Sequence, residues 1–530
     1  MKPHGSLRRV RRRLSAALAA LTVFAGLAAC GVSSGADSSG RPDELHVLVE
    51  AMQPVFDQWQ GGVSTQGVLL LVNEPLIRYD GEGFQPNVAE SFEQVTPTKF
   101  VFTLRDGVRF SDGSELTAED VKFTFQQAMR DDHMSTTHIV MKTIKSIAVS
   151  GNTLTVELAR PHSLFLYTVA RTGIVSKAFY DKHGDKVGTP DVGQLGTGPY
   201  QLIKFEPNKT MTIGRNPHYW GDEAAFSSIT FTIVSDDSAR LLALHSGEAN
   251  AIFEIPTGQI KAVRTVEDFT FTTIDGTSLI MLMMDVTKPP FDDPDVRAAV
   301  RHAINRQGLV DSALAGNGQV ARTLVSVSTL ERVASKQAIE NTLGKFDKAN
   351  AFDPDLAKRL LRKAGKPNGF SVTLPVESAD ADASLVAQAL AQDLKRVGID
   401  VRLEQKGDDY VDVILRGKHE GLLLFQFSSN APDPVMPMDY FVPAKSHLNL
   451  TRQNTPAADA AVARSHAIPV GDPKRGEALL SGLAAYHAVG ASLPLAIPDM
   501  TFGLKKPMTI NGFTNYWWMQ RWDLLVGVNR

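Results

Sequence analysis

The chain contains a single cysteine, Cys30, in 530 residues, so no disulfide can form within it. It has no marked charge imbalance. Charged residues make up 21% and the formal net charge is −3, which gives no sign of disorder or of nucleic-acid binding. Catalytic and metal signatures are missing too. The thirteen histidines are scattered, and His133 and His138, five apart, do not share one helix face as chelation would prefer. The stretch GTGPY, Gly196–Tyr200, is glycine-rich but lacks the Lys-Ser/Thr of a phosphate loop. The stretch GVSSG, Gly31–Gly35, fits G-x-S-x-G in letters only, because that motif needs a strand before it and a helix after it. No Ser/His/Asp set is supported by sequence alone. Neither an enzyme activity nor a cofactor or metal is expected.

The N-terminus is the least ordinary part of the sequence. Six basic residues, Lys2, Arg8, Arg9 and Arg11–Arg13, precede an uncharged Ala/Leu-rich stretch from Leu14 to Ala29. This order reads as a secretory signal peptide over 1–29, and its 16 apolar-region residues fall short of the ~20 that span a membrane. Cys30 directly after Leu-Ala-Ala resembles the lipobox of bacterial lipoproteins, in which the cysteine is acylated and becomes residue one. Each buried CH₂ of such acyl chains contributes about 0.8 kcal/mol, so several chains anchor firmly. Residues 30–43, Gly/Ser-rich, read as a lipidated flexible tether. Cleavage would leave 501 residues and remove six positive charges. The expected location is extracytoplasmic, on the outer face of the cell membrane.

From Glu44 onward the hydrophobic content of 43% and a length well beyond the ~250–300 residues of a single core imply at least two domains. ELHVLV and KFVFTL read as strands, and IKSIAVS-GN-TLTVEL and YQLIKFEPNKTMTIGRN as hairpins. Thr117 to Asp120 has the form of a capping box. Asp293-Pro294, Asp353-Pro354 and Asp472-Pro473 each pair a capping carboxylate with proline at the first helical position. SLVAQALAQDLKRVGIDVRLEQ reads as a helix, stopped at Gly398, and then a strand. The class is α/β with inserted antiparallel hairpins.

FTLRDGVRFSDGSELTAEDVKFTF (Phe102–Phe125) resembles the signature of extracellular solute-binding proteins of family 5, which serve ABC importers of peptides, nickel chelates and related solutes. GTGPYQLIKFEPNKTMTIGRNPHYWG, PPFDDPDVRAAVRHAINRQGLVD and FDPDLAKRLLRKAG agree with that family in order and spacing. The resemblance implies a two-lobed periplasmic-binding-protein type II fold with an extra subdomain in lobe one. Its expected divisions are lobe one at 44–73, 195–289 and 498–530, the extra subdomain at 74–194, and lobe two at 290–497. It implies a monomeric receptor that takes a small solute, a peptide as first choice, and passes it to ABC permease and ATPase subunits. A metal chelate, an opine-like or a sugar-derived solute are the alternatives. An anchored hydrolase is the rival from another class, and a signalling lipoprotein a third reading.

The resemblance also directs attention to LLLFQFSSNAPDPVMPMDYF, Leu422–Phe441, where an apolar run empties into a polar, proline-stiffened loop. Peptide-binding relatives commonly read W-G-x-D-Y-P-D-P here, and the first acid pairs with the ligand's α-amino group. On that pattern Phe427 stands at the tryptophan, Asn430 at the acid and Asp433-Pro434 at the second Asp-Pro, with Ser428 and Ser429 between. Asn430 is neutral, so either the solute presents no free amino group there, or Asp433 takes that role, or the pattern slips by a few residues along this stretch. Gln66, Arg171, Trp517 and Trp518 complete the expected ligand contacts, Arg171 as a bidentate clamp for a carboxylate.

Overall fold

The structure is a computed structural model, and it describes residues 42–59, 63–131, 137–378, 380–407 and 409–528. The signal segment and Cys30 lie outside the described residues. Alternating burial in ELHVLV places Leu45 and Val47 in the core, and this strand, Glu44–Val49, lies inside a seven-stranded sheet. It pairs in parallel with Ser228–Ile233 on one side and Ala251–Ile252 on the other. Thr210–Arg215 and Tyr200–Glu206 extend the first side as the expected hairpin, and Met500–Lys505 and Phe269–Ile274 extend the second.

A separate four-stranded sheet has the order Gly318–Val320, Ser492–Pro498, Ser278–Met284, Leu422–Ser428. Its central strand SLIMLMM is apolar from Leu279 to Met284 because both faces are covered there. Ile280, Leu282 and Met284 enter one core with Val300, Leu374 and Leu390, while Leu279, Met281 and Met283 enter another. Each such fully buried side chain contributes about 1.5–3 kcal/mol. Ser278–Met284, which sequence reading puts in lobe one, is thus hydrogen-bonded between two strands of the 422–498 region.

A parallel pair, Phe370–Glu377 and Ile399–Lys406, is joined by the helix Ala381–Lys395 capped by Asp380. Gly398, at φ +96°, makes the turn into the second strand. A further four-stranded antiparallel sheet is formed by Ala89–Thr96, Lys99–Leu104, Thr153–Leu158 and Ile144–Ser150, the last two being the Gly151-Asn152 hairpin. Asp293, Asp353 and Asp472 each cap the helix whose first residue is the following proline.

The GTGPY stretch has a packing role. A Cβ on Gly196 would lie 2.0 Å from the Val72 carbonyl oxygen, and one on Gly198 would lie 2.2 Å from that of Leu71. These glycines let the chain press against the end of the helix Val63–Val72, where Gly198 N–H donates to Val72 C=O at 2.8 Å. No helix among the described residues is long and apolar enough to cross a membrane.

Candidate functional site

Open α/β sheets present ligand crevices at the carboxyl ends of their strands. Here Glu50 follows the parallel strand Glu44–Val49, and Glu377 ends the parallel strand Phe370–Glu377. Between them opens a cavity of about 570 Å³, within the usual range for a small-molecule site. Val49–Ala51 and Phe253–Thr257 line it from the seven-stranded sheet, and Thr277, Ser278, Gln426 and Ser428 from the four-stranded sheet. Glu377 and Asp380–Asp382 close the opposite side, with Pro498–Met500 where the chain crosses between sheets.

Six carboxylates line this cavity: Glu50, Glu254, Glu377, Asp380, Asp382 and Asp499. Among the described lining residues none is Lys, Arg or His. All six carboxyls are raised above their ordinary range, in every case chiefly by burial. Arg240 lowers Glu50 from behind, while Asp237, Asp382 and Asp380 raise it. That guanidinium is itself buried and held by Asp237 at 2.8 Å. The Thr257 hydroxyl donates to Asp382 across the cavity.

Glu254 adopts φ +53°, a left-handed conformation that costs a non-glycine residue of order 1–3 kcal/mol and recurs at ligand sites. Its side chain remains accessible because it opens onto the cavity, while surrounding protein still raises its carboxyl. The buried Trp517 indole N–H faces this carboxyl and eases that shift, yet it lacks a partner at direct hydrogen-bond distance.

The family model for bacterial extracellular solute-binding proteins, family 5 (middle), matches residues 83–447. The chain belongs to that family. The family is defined by solute binding rather than catalysis, and the fold is that of type II periplasmic binding proteins. The glutathione-binding protein GsiB of Salmonella typhi is 32% identical over 308 residues, 57% of each chain. The match therefore spans little more than half the length of that relative. The Helicobacter pylori periplasmic binding protein DppA, in complex with peptide STSA, superposes with TM-score 0.78 at 20% identity, covering 92% of this chain and 98% of that one. NikA from Staphylococcus aureus, in complex with Ni(L-His)2, does so with TM-score 0.75 at 18% identity, covering 92% and 100%.

Of the nine expected ligand contacts in this family 5 chain, Ser428 and Trp518 line the large cavity. Ser428 Oγ shares a 2.5 Å hydrogen bond with Ser278 Oγ on the adjacent strand. Phe427, Ser429 and Asp433 border a separate space of about 20 Å³, room for one water at most. Phe427 packs edge-on against Phe441 at 4.9 Å, and Ser429 Oγ donates to Ala431 C=O at 2.9 Å. Asp433 is fully engaged inside the fold. Arg475 Nη2 donates to both its oxygens at 2.7 and 2.8 Å, and neither residue is more than 2% exposed.

Asn430 and Arg171 border another space of about 20 Å³, together with Tyr167, Met436 and Tyr440. Both are buried, and burial pushes the Arg171 guanidinium down to about 10. Gln66 Nε2–H donates to the Arg171 carbonyl at 2.9 Å, so these two expected contacts meet each other away from the large cavity. Trp517 stacks on Phe513 at 5.4 Å within a cluster that includes Phe253, Phe502 and Trp522. Sequence reasoning missed all six cavity acids. The signal for two of them was the position of Glu50 and Glu377 at strand carboxyl ends.

One buried cluster outside this cavity resembles a catalytic or metal site in outline. His466 Nε2 lies 2.8 Å from Asp439 Oδ1, and its Nδ1 lies 3.1 Å from Ser163 Oγ, with His162 adjacent. The Ser163 hydroxyl already accepts from Arg475 at 2.9 Å, and that fixed guanidinium leaves little reason for a second cation. The group reads as a polar clamp between the 162–163 turn and the helices Val435–Phe441 and Pro456–Ala467.

Two buried histidines carry a pH prediction. Burial, with nearby positive groups, pushes His162 and His487 down to about 3. Their folded values lie below the unfolded value near 6.5, so their stabilisation is complete above that pH and is lost as pH falls toward the folded value. At pH 5 each costs about 2 kcal/mol. The cavity acids act in the opposite direction, so the comparison is made between variants. In urea titrations, the stability difference between pH 7 and pH 5 is expected to shift by about 2 kcal/mol in His487→Gln, in the sense of less loss on acidification.

Proposed function

We propose that this family 5 protein is an extracytoplasmic receptor, anchored by acyl chains on Cys30. It captures an oligopeptide or related small solute and delivers it to an ABC permease whose partner subunits hydrolyse ATP. The observation that carries this reading is the 570 Å³ cavity lined from two different sheets, with the chain crossing between them at Gly276–Ser278 and Pro498–Met500. In this reading the chain passes into lobe two near Gly276 and returns near Pro498. The relatives support the class of solute: GsiB is glutathione-binding, and the DppA structure holds a peptide. Lobe closure from 1:99 to 99:1 requires a solute that binds the closed state about 10⁴-fold better. A micromolar Kd, about −8.2 kcal/mol, accommodates that requirement.

Native mass spectrometry on protein purified from a rich culture tests the receptor reading. The expected result is a complex heavier than the bare chain that releases a small solute on denaturation. A bare chain under all growth conditions contradicts it.

A further inference from the structure

The charge of the cavity narrows the solute further, on the footing of the receptor reading above. Its acids come from separate parts of the chain and face one space. Glu50 and Glu254 lie on the seven-stranded-sheet side, Glu377, Asp380 and Asp382 on the opposite side, and Asp499 at the crossing. Two of them have fixed internal duties: Asp380 caps its helix through Ala383 N–H at 2.8 Å, and Asp382 accepts from Thr257. Glu50, Glu254, Glu377 and Asp499 form no ion pair within the ordinary contact distance among the described residues.

A second feature points to an occupant. Glu254 is held in a left-handed backbone conformation, and its carboxyl lines the cavity. Such strain persists only where surrounding structure enforces it, and a site that binds solute is where it recurs. Phe253 and Trp518 add aromatic surface to the same lining, which suits ammonium and guanidinium groups but not anions.

We infer that the cavity selects small organic cations carrying two or more ammonium or guanidinium groups, placed between Glu50 and Glu254 on one side and Glu377 and Asp382 on the other. Bringing like-charged walls together without such a solute is opposed by their repulsion, so the cation links the two sides as well as filling the space. Glutathione, the solute for which GsiB is named, carries two carboxylates against one ammonium. It would set its anions among these acids, and this chain is expected to reject it.

Calorimetry on the purified protein with Lys-Ala-Lys, spermidine, Ala-Ala-Ala, Glu-Ala-Glu and glutathione tests the inference. At least one of the two cations is expected to bind roughly 100-fold more tightly than Ala-Ala-Ala, with no measurable heat from Glu-Ala-Glu or glutathione. Binding of Lys-Ala-Lys alone identifies the source as basic peptides, and binding of spermidine alone identifies free polyamines. The favoured cation should weaken roughly 10-fold in Glu254→Gln and again in Asp382→Asn, and weaken further as salt rises from about 50 to about 500 mM. Thermal unfolding of the same variants separates a lost contact from a lost fold. Two silent cations, or an acidic or neutral probe that binds as well as they do, overturns the charge inference. The receptor reading stands or falls separately, on whether the isolated protein carries any small solute.

Discussion

Asp433→Ala is expected to lower unfolding stability by about 3–5 kcal/mol while leaving the solute affinity of the folded protein unchanged. Removing the carboxylate strands Arg475, a fully buried guanidinium whose Nη2 makes both bonds to Asp433. A buried charge that loses its partner keeps its desolvation cost, and that cost dominates the effect. The remaining partners of Arg475, the Ser163 hydroxyl and the Ser465 carbonyl, are neutral and do not replace the lost charge. The double variant Asp433→Leu with Arg475→Met removes both charges and should recover much of the loss, giving a strongly non-additive cycle. Urea titration with calorimetry on each variant checks this. If Asp433→Ala were as stable as the parent yet bound no solute, Asp433 would be a ligand anchor after all.

The second large effect is expected at Gly276. A Cβ there would sit 1.8 Å from the Pro498 carbonyl oxygen, a distance that no side-chain adjustment relieves because the obstacle is backbone. Gly276 and Pro498 are also the points where the chain passes between the two sheets, and Thr277, Ser278 and Pro498 line the cavity. Gly276→Ala is expected to cost about 2–4 kcal/mol and to weaken solute binding along with it, because separating the strands moves the cavity lining. Gly344→Ala is the matched control. It lies in the helix Lys336–Ala349 with open space around its Cα, and alanine there should be neutral or stabilising by up to about 1 kcal/mol. Thermal melts of the two variants, read beside solute titrations, separate strain at the crossing from the general effect of adding a methyl group.

Much of the fold was legible because its signals are local. The Gly151-Asn152 turn, the three Asp-Pro helix starts and the stop at Gly398 each depend on residues within a few positions of one another. GTGPY was legible as glycine-rich but not as packing, since the carbonyls of Leu71 and Val72 that demand those glycines lie more than a hundred residues earlier. The proline-stiffened loop of Leu422–Phe441 was half legible. Its apolar strand and stiff turn stand where expected, and Ser428 reaches the large cavity. The partner that neutralises Asp433 is 42 residues away and nothing near Asp433 announces it. The acids of the cavity are further apart still, from Glu50 to Asp499, and only the topology brings them to one space. Four of them, Glu50, Glu254, Glu377 and Asp499, stand at or just beyond strand ends, a weak sign when read one residue at a time.

The most direct measurement is a crystal structure of the protein grown with the solute it releases on denaturation. Solute density is expected in the 570 Å³ cavity, with nitrogen atoms about 2.7–3.2 Å from the Glu254 and Asp382 carboxylates. Density lodged instead against Asn430 and Asp433, with the Asp433–Arg475 pair opened to receive it, would contradict it.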